Sequence, residues 1–247
     1  GCCLTEYKAD LRIEDTDKER SSNSNLQNII NGLRWLELDR FINISQTIDI
    51  TSKNINKSFF QSERTNEYRK TLHRLIDKGM VYTKDGAYYF DVQKSNIKKI
   101  GYYDIVLQMT STEISVIDDF VIWRSDDTPT FHLAVVTDDL YGPNKYDIII
   151  RGQDHLTNTV KHKLLEYALV NDNRLNYGHV PLVLDENGEK LSKRRNDQAV
   201  LISDFAKEGY LPQSILIYLL GLGTNLESEI DNKNLLTIQN VVDFINI

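Results

Sequence analysis

Apolar residues return every three to four positions in several stretches of the chain, the spacing that lines one face of a helix. Leu26, Ile29, Ile30 and Leu33 do so first, with the Asn-Ser-Asn of residues 23–25 as start signals and Gly32 as a weakness inside. Tyr68, Leu72, Leu75 and Ile76 form a second such face, stopped by Gly79. A third runs through Val160, Leu164, Leu165, Ala168 and Leu169, with Thr157 placed to cap it. A short helix from Ile202 to Lys207 should end at Gly209, and Pro212 should open another through Ile215, Leu216, Leu219 and Leu220. Ile238, Val241, Val242 and Ile245 mark a last one.

Strand patterns lie between these helices. Leu11 and Ile13 bracket Arg12 as on a short buried strand, and residues 41–58 read as loop and short strand. Tyr88-Tyr89-Phe90, Ile114 to Ile117 and Phe120-Val121-Ile122 look like strands, with Asp85-Gly86 as a turn. Phe131 to Val136 and Tyr146 to Arg151 read as buried strands, and His179 to Leu184 as a strand leading into a basic loop. Strand, polar turn and helix alternate after residue 146, the order of a doubly wound α/β sheet.

The 247 residues suffice for one or two domains with a real core. A net charge of -7 argues against a protein that coats nucleic acid non-specifically, since that binding needs a cationic surplus. It leaves room for local basic patches. No apolar run approaches the ~20 residues that span a bilayer, and no export leader is visible, so a cytoplasmic protein without membrane contact is expected. The two cysteines, Cys2 and Cys3, are adjacent and suit neither a disulfide framework nor a zinc site. Gly1 in place of an initiator Met reads as a fragment or a processed chain.

Three polar stretches carry candidate chemistry. Glu14, Asp15 and Asp17 follow a short strand, where a ligand would bind in an open sheet; an acidic helix cap is the plain alternative. Arg151 ends a strand, where its guanidinium can grip a carboxylate with two parallel bonds. Gly188-Glu189-Lys190-Leu191-Ser192-Lys193-Arg194-Arg195 reads as a Gly-initiated loop whose cations could hold polyphosphate, or as a solvated basic loop. His132 reads as a core histidine without chemistry.

Taken in order, LRIEDTD (residues 11–17), IRGQDH (150–155) and KLSKR (190–194) resemble the catalytic core of glutamyl-tRNA synthetases, class I aminoacyl-tRNA ligases. That resemblance implies a Rossmann-like parallel sheet interrupted by an α/β insertion that binds the tRNA acceptor stem, followed by the start of a helical stem-contact domain. Its implied boundaries are 1–64 and 128–189 for the two parts of the core, 65–127 for the insertion and 190–247 for the loop and helical region. The QSER run at 61–64 resembles the family's opening to the insertion and reads as a structural hinge.

The implied reaction activates glutamate with ATP and Mg2+ to glutamyl-adenylate, then transfers it to the 3′ end of tRNA. By the same resemblance Lys190 and Lys193 are catalytic, and Lys190, Leu191, Ser192, Lys193 and Arg194 bind ATP. Glu14, Phe131, Val135 and Arg151 bind glutamate. Phe131 stands where the family usually has Tyr, and Gln153 replaces an acid before Asp154. No zinc is expected, because the cysteines some relatives carry near the match to Tyr82 are missing; Lys94, Lys98 and Lys99 could meet phosphates there, with a solvated charged face as an equal alternative. The family's HIGH motif and side-chain-reading arginine have no match before residue 11, which implies impaired activity for this chain alone. The implied partners are tRNA(Glu), with tRNA(Gln) as a further candidate, and the expected state is a monomer. Two alternatives are a glutamyl-queuosine tRNA(Asp) synthetase and a non-catalytic tRNA-binding remnant.

Overall fold

Helices form where the apolar period is cleanest. The computed structural model describes residues 12, 14, 23–38, 60–95, 117–142, 146, 148–172, 174–185, 187–191 and 201–223. In chain order, α1 spans Asn23–Trp35, and a 3-10 turn, Gln61–Arg64, runs into α2, Thr65–Asp77. Strands β1 (Val81–Lys84), β2 (Ala87–Phe90) and β3 (Phe120–Trp123) follow, then α3 (Phe131–Tyr141) and β4 (Ile148–Gly152). A 3-10 turn, Gln153–His155, leads into α4 (Leu156–Val170), then β5 (Asn176–Val180), α5 (Ile202–Lys207) and α6 (Pro212–Gly223). Two compact units result, one from residues 60–180 and one from residues 1–59 with 181–247. The expected strand at Leu11 and Ile13, region 41–58, most of the Ile114 to Ile117 strand, Lys98, Lys99 and the Ile238 to Ile245 helix lie outside the described residues.

Within the 60–180 unit, α2 buries the predicted face, with Tyr68, Leu72 and Leu75 nearly inaccessible. Gly79 stops it as expected: at φ +68° its N–H reaches the Ile76 carbonyl, and the Met80 N–H reaches that of Leu75. Those two bonds satisfy the last carbonyls of the helix, and the left-handed backbone favours glycine. β1, β2 and β3 form an antiparallel meander, turned between β1 and β2 at Asp85 and Gly86, both with positive φ. That pair of left-handed residues matches the twist of a two-residue hairpin. Phe90, Phe120, Ile122 and Trp123 carry the sheet into the core.

β4 and β5 pair in parallel and are joined through α4, the expected strand–helix–strand unit. Its details depart from the sequence reading. The β4 strand is not buried on both faces: Ile149 packs on the core while Ile148 and Ile150 are 61% and 70% exposed. Alternation along a strand allows this, and an all-apolar run conceals it. β5 occupies Asn176–Val180 rather than His179 to Leu184, since Pro181 has no N–H to extend a ladder. α4 starts at Leu156, so Thr157 sits in its first turn and His155 takes the cap position without a side-chain capping bond.

The largest correction concerns Phe131 to Val136, which is the start of helix α3 and not a strand. Leu133 to Leu140 are all buried, so no polar face reveals the helical period, and the β-branched Val135, Val136 and Thr137 imitate a strand. Burial between α2 and α4 overrides that local preference.

The other unit is described in parts. In α1, Ile30 is buried while Ile29 is 49% exposed. Gly32 is where α1 meets α5: a Cβ there would lie 3.2 Å from the Ile202 Cβ. α5 ends as predicted at Gly209 (φ +87°), with Phe205 and Tyr210 rings packed 5.5 Å apart across the stop. α6 opens at Pro212. Of the expected Gly-initiated basic loop, residues 188–191 are described. Gly188 has φ +76°. It lies in a turn closed by the Leu184–Lys190 bridge, and the Asp185 carboxylate accepts the N–H groups of Asn187 and Glu189.

Candidate active site

The carboxyl end of β4 delivers Arg151 directly opposite His179 of β5, because the parallel register pairs those two residues. α4 then turns Thr159 and His162, three apart on one helical face, toward the same guanidinium. Arg151 Nη1 lies 2.8 Å from His162 Nδ1, Nη2 donates to the Thr159 hydroxyl, and Nε donates to His179 Nε2 at 3.4 Å. The Tyr177 ring lies under the guanidinium carbon at 4.6 Å, a cation–π contact. Thr159 and His162 are fully buried.

α3 closes the cluster from its first turn. His132 Nδ1 lies 3.2 Å from His162 Nε2, and the Phe131 ring packs on His155 and His162 at 5.4 and 5.6 Å. Burial, followed by the nearby charges of Lys161, Arg151 and His155, pushes the His132 imidazole down to about 4. It is therefore neutral near pH 7. Four of the chain's five histidines gather here.

Supporting the cluster, Lys163 donates to the Leu175 carbonyl and lies 3.4 Å from Glu166, which accepts the Leu175 N–H at 2.9 Å. That pair anchors the run into β5. Burial raises the Glu166 carboxyl above its usual range, against the opposing pull of the Leu175 N–H and Lys163. On α3, Asp138 accepts from Gln61 (3.0 Å), Arg64 (2.7 Å) and Tyr68 (2.9 Å). The QSER turn is thus tied into the 60–180 unit. Burial and the Asp138 carboxylate push the Tyr68 hydroxyl well above its ordinary range. Burial works against the Arg64 charge, but Asp138 outweighs it.

Of the residues expected to bind glutamate, Phe131, Val135 and Arg151 lie in the 60–180 unit, and Phe131 and Arg151 meet on His162. Val135, one turn beyond Phe131, is 2% exposed. Glu14 belongs to the other unit, where Arg12 lies 3.1 Å from its carboxylate. Lys190 and Leu191 are described there on the hairpin after Leu184, Lys190 being exposed. Ser192, Lys193 and Arg194 lie outside the described residues. Lys94, exposed, pairs with Asp91 at 3.1 Å. Among the described residues no three His, Cys, Asp or Glu side chains form a metal-holding group, and no helix is long and apolar enough to cross a membrane.

Sequence reasoning missed Thr159, His162 and His179. Thr159 and His162 follow Arg151 at eight and eleven residues, a distance that only the strand–turn–helix fold converts into contact. His179 needs the sheet register.

The chain matches the family of tRNA synthetases class I (E and Q), catalytic domain, over residues 7–88 and 86–246. It is 38% identical over 232 residues to the glutamate–tRNA ligase of Methylacidiphilum infernorum, covering 94% of this chain and 49% of that protein. Glutamate–tRNA ligase 2 of Neorickettsia sennetsu is 34% identical over 241 residues, covering 96% and 52%. The chain spans about half the length of these relatives. The crystal structure of a glutamate tRNA ligase from Elizabethkingia meningosepticum in complex with its amino acid aligns with a TM-score of 0.62 at 19% identity, covering 97% of this chain and 60% of that one, a likeness of fold. On these matches the chain belongs to the class I tRNA synthetases of the E and Q type, and its helices and parallel strand pair are those of that family's catalytic-domain fold.

Proposed function

We propose that this chain supplies the catalytic domain of a glutamate–tRNA ligase. Glutamate attacks the α-phosphate of ATP, releasing pyrophosphate, and the glutamyl group of the adenylate passes to a terminal ribose hydroxyl at the 3′ end of tRNA(Glu), releasing AMP, with tRNA(Gln) as a second acceptor. No covalent bond to the protein is needed; positioning and charge neutralisation carry the rate. Arg151 binds the substrate α-carboxylate, Glu14 its ammonium group, and Phe131 and Val135 line the pocket. Lys190 and Lys193 neutralise the leaving pyrophosphate, with Leu191, Ser192 and Arg194 completing the ATP loop. Mg2+ bound with the nucleotide would share the neutralisation of its phosphates with Lys190 and Lys193.

Residues 65–127 form the acceptor-stem insertion between core segments 1–64 and 128–189, and residues 190–247 carry the loop and stem-contact helices. The working protein is a cytoplasmic monomer. The observation that carries this reading is Arg151 at the carboxyl end of a parallel strand, its guanidinium over the Tyr177 ring. Open sheets bind ligands at that edge, and a guanidinium suits a carboxylate.

The test is calorimetric binding of a non-hydrolysable glutamyl-adenylate analogue to the purified chain, beside its aspartyl counterpart. The glutamyl analogue should bind more tightly, and Arg151→Lys should weaken it at least about tenfold, a loss of about 1.4 kcal/mol. Equal binding of both analogues, or charging of tRNA(Asp) in place of tRNA(Glu), would refute it.

A further inference from the structure

Arginine has no lone pair to offer, so each contact of Arg151 assigns the role of its partner. His162 Nδ1, 2.8 Å from Nη1, must be the acceptor and carries no proton. Its Nε2 then bears the ring hydrogen and faces His132 Nδ1 at 3.2 Å, which accepts it. The proton of His132 therefore lies on Nε2. One permanent charge thus sets the tautomers of two rings in series. His179 Nε2 is an acceptor by the same logic, since Arg151 Nε donates to it at 3.4 Å.

His162 is the pivot of this arrangement. It is fully buried on α4, with Arg151 from β4, His132 and Phe131 from α3 and Tyr177 from β5 around it. An imidazolium here would set two N–H groups and two positive charges against each other at 2.8 Å. A neutral ring instead turns the guanidinium about a defined axis. Thr159 on the same helix receives the other terminal nitrogen, so α4 grips Arg151 at two points.

The geometry points to His162 as a positioning residue: a neutral, Nε2-protonated histidine whose Nδ1 holds Arg151 in its carboxylate-binding orientation. This rests on the reading of Arg151 as the arginine that binds the substrate carboxylate. His162 itself touches no substrate. Its contribution is preorganisation, because a guanidinium free to rotate loses the paired geometry that makes its grip on a carboxylate selective.

Two measurements on the full chain test it. Long-range 1H–15N NMR of the histidine-labelled chain at neutral pH should show His162 neutral and protonated on Nε2; an imidazolium or an Nδ1–H form overturns the proposal. Affinity for the glutamyl-adenylate analogue is then compared among variants. His162→Leu, which removes the acceptor, should weaken binding about tenfold or more. His162→Gln, whose carbonyl accepts from Arg151 and whose amide can donate to His132, should stay within about threefold of the parent. Equal losses for Leu and Gln mean a packing role and overturn it. If Arg151→Lys binds as the parent does, the reading of Arg151 itself fails. If Arg151→Lys weakens binding while His162→Leu does not, only the positioning role fails.

Discussion

At the scale of single residues, His132 shows how burial turns a titratable ring into a stability term. Its imidazole, ordinarily titrating near 6.5, is pushed down to about 4 by burial and by the charges of Lys161, Arg151 and His155. The unfolded chain takes up a proton there as pH drops below 6.5, and the native chain does not until about 4. The contribution is whole above 6.5, drains as pH falls and is gone below about 4. Its slope is about 1.4 kcal/mol per pH unit inside that window. Urea melts of the parent and of His132→Gln between about pH 7 and 5 should show a shallower loss in the variant. Parallel curves would remove His132 from the account. Nothing local marks this residue; the depression comes from α3 lying against α4.

Asp138 belongs to the next scale, because its carboxylate joins two elements. It takes Gln61 and Arg64 from the turn before α2, Tyr68 from α2 itself, and sits on α3. The Arg64 and Asp138 side chains are only 12% and 5% exposed. Asp138→Asn would leave a buried guanidinium without a counter-charge, and stability should fall by about 3–5 kcal/mol. Replacing both partners, as Arg64→Met with Asp138→Leu, should recover only part of that loss: it avoids the unpaired charge but takes the acceptor from the buried Gln61 and Tyr68 donors. Equilibrium unfolding of the three proteins decides it. A single-variant cost below about 1 kcal/mol would mean that water reaches the pair. Helix α3 itself was legible as an apolar segment but not as a helix, because burial on every side erases the periodicity that separates helix from strand.

For the molecule as a whole, the 60–180 unit is one continuous piece of chain, and its core, from Tyr68 to Tyr177, lies entirely within it. The other unit is assembled from two separate segments. A peptide covering residues 60–180 should therefore fold by itself, with a single cooperative thermal transition and protected amides in α2, α3 and α4. A non-cooperative melt would show that the unit depends on the rest of the chain. Lys78 illustrates its closure: the ammonium group reaches the last carbonyls of α4, Ala168 and Leu169, at 2.7 and 2.8 Å. Such contacts, ninety residues apart in the chain, leave no trace in local sequence.

The amino-acid sequence by itself determined the helices that carry a polar face, as with Tyr68, Leu72 and Leu75, and the stops that need a left-handed residue, as at Gly79 and Gly209. It also specified the strand–turn–helix order that places Arg151 at the carboxyl end of β4, and the motif series that resembles the family. These are short-range properties, set by backbone sterics and the period of side chains. Only the tertiary structure decided that Phe131 begins a helix, that Ile148 and Ile150 face outward, and that His162 and His179 meet one guanidinium with His132 behind His162. The physical reason is common to all three: burial and cross-element hydrogen bonds depend on what lies opposite a residue, and only the folded chain supplies that neighbour.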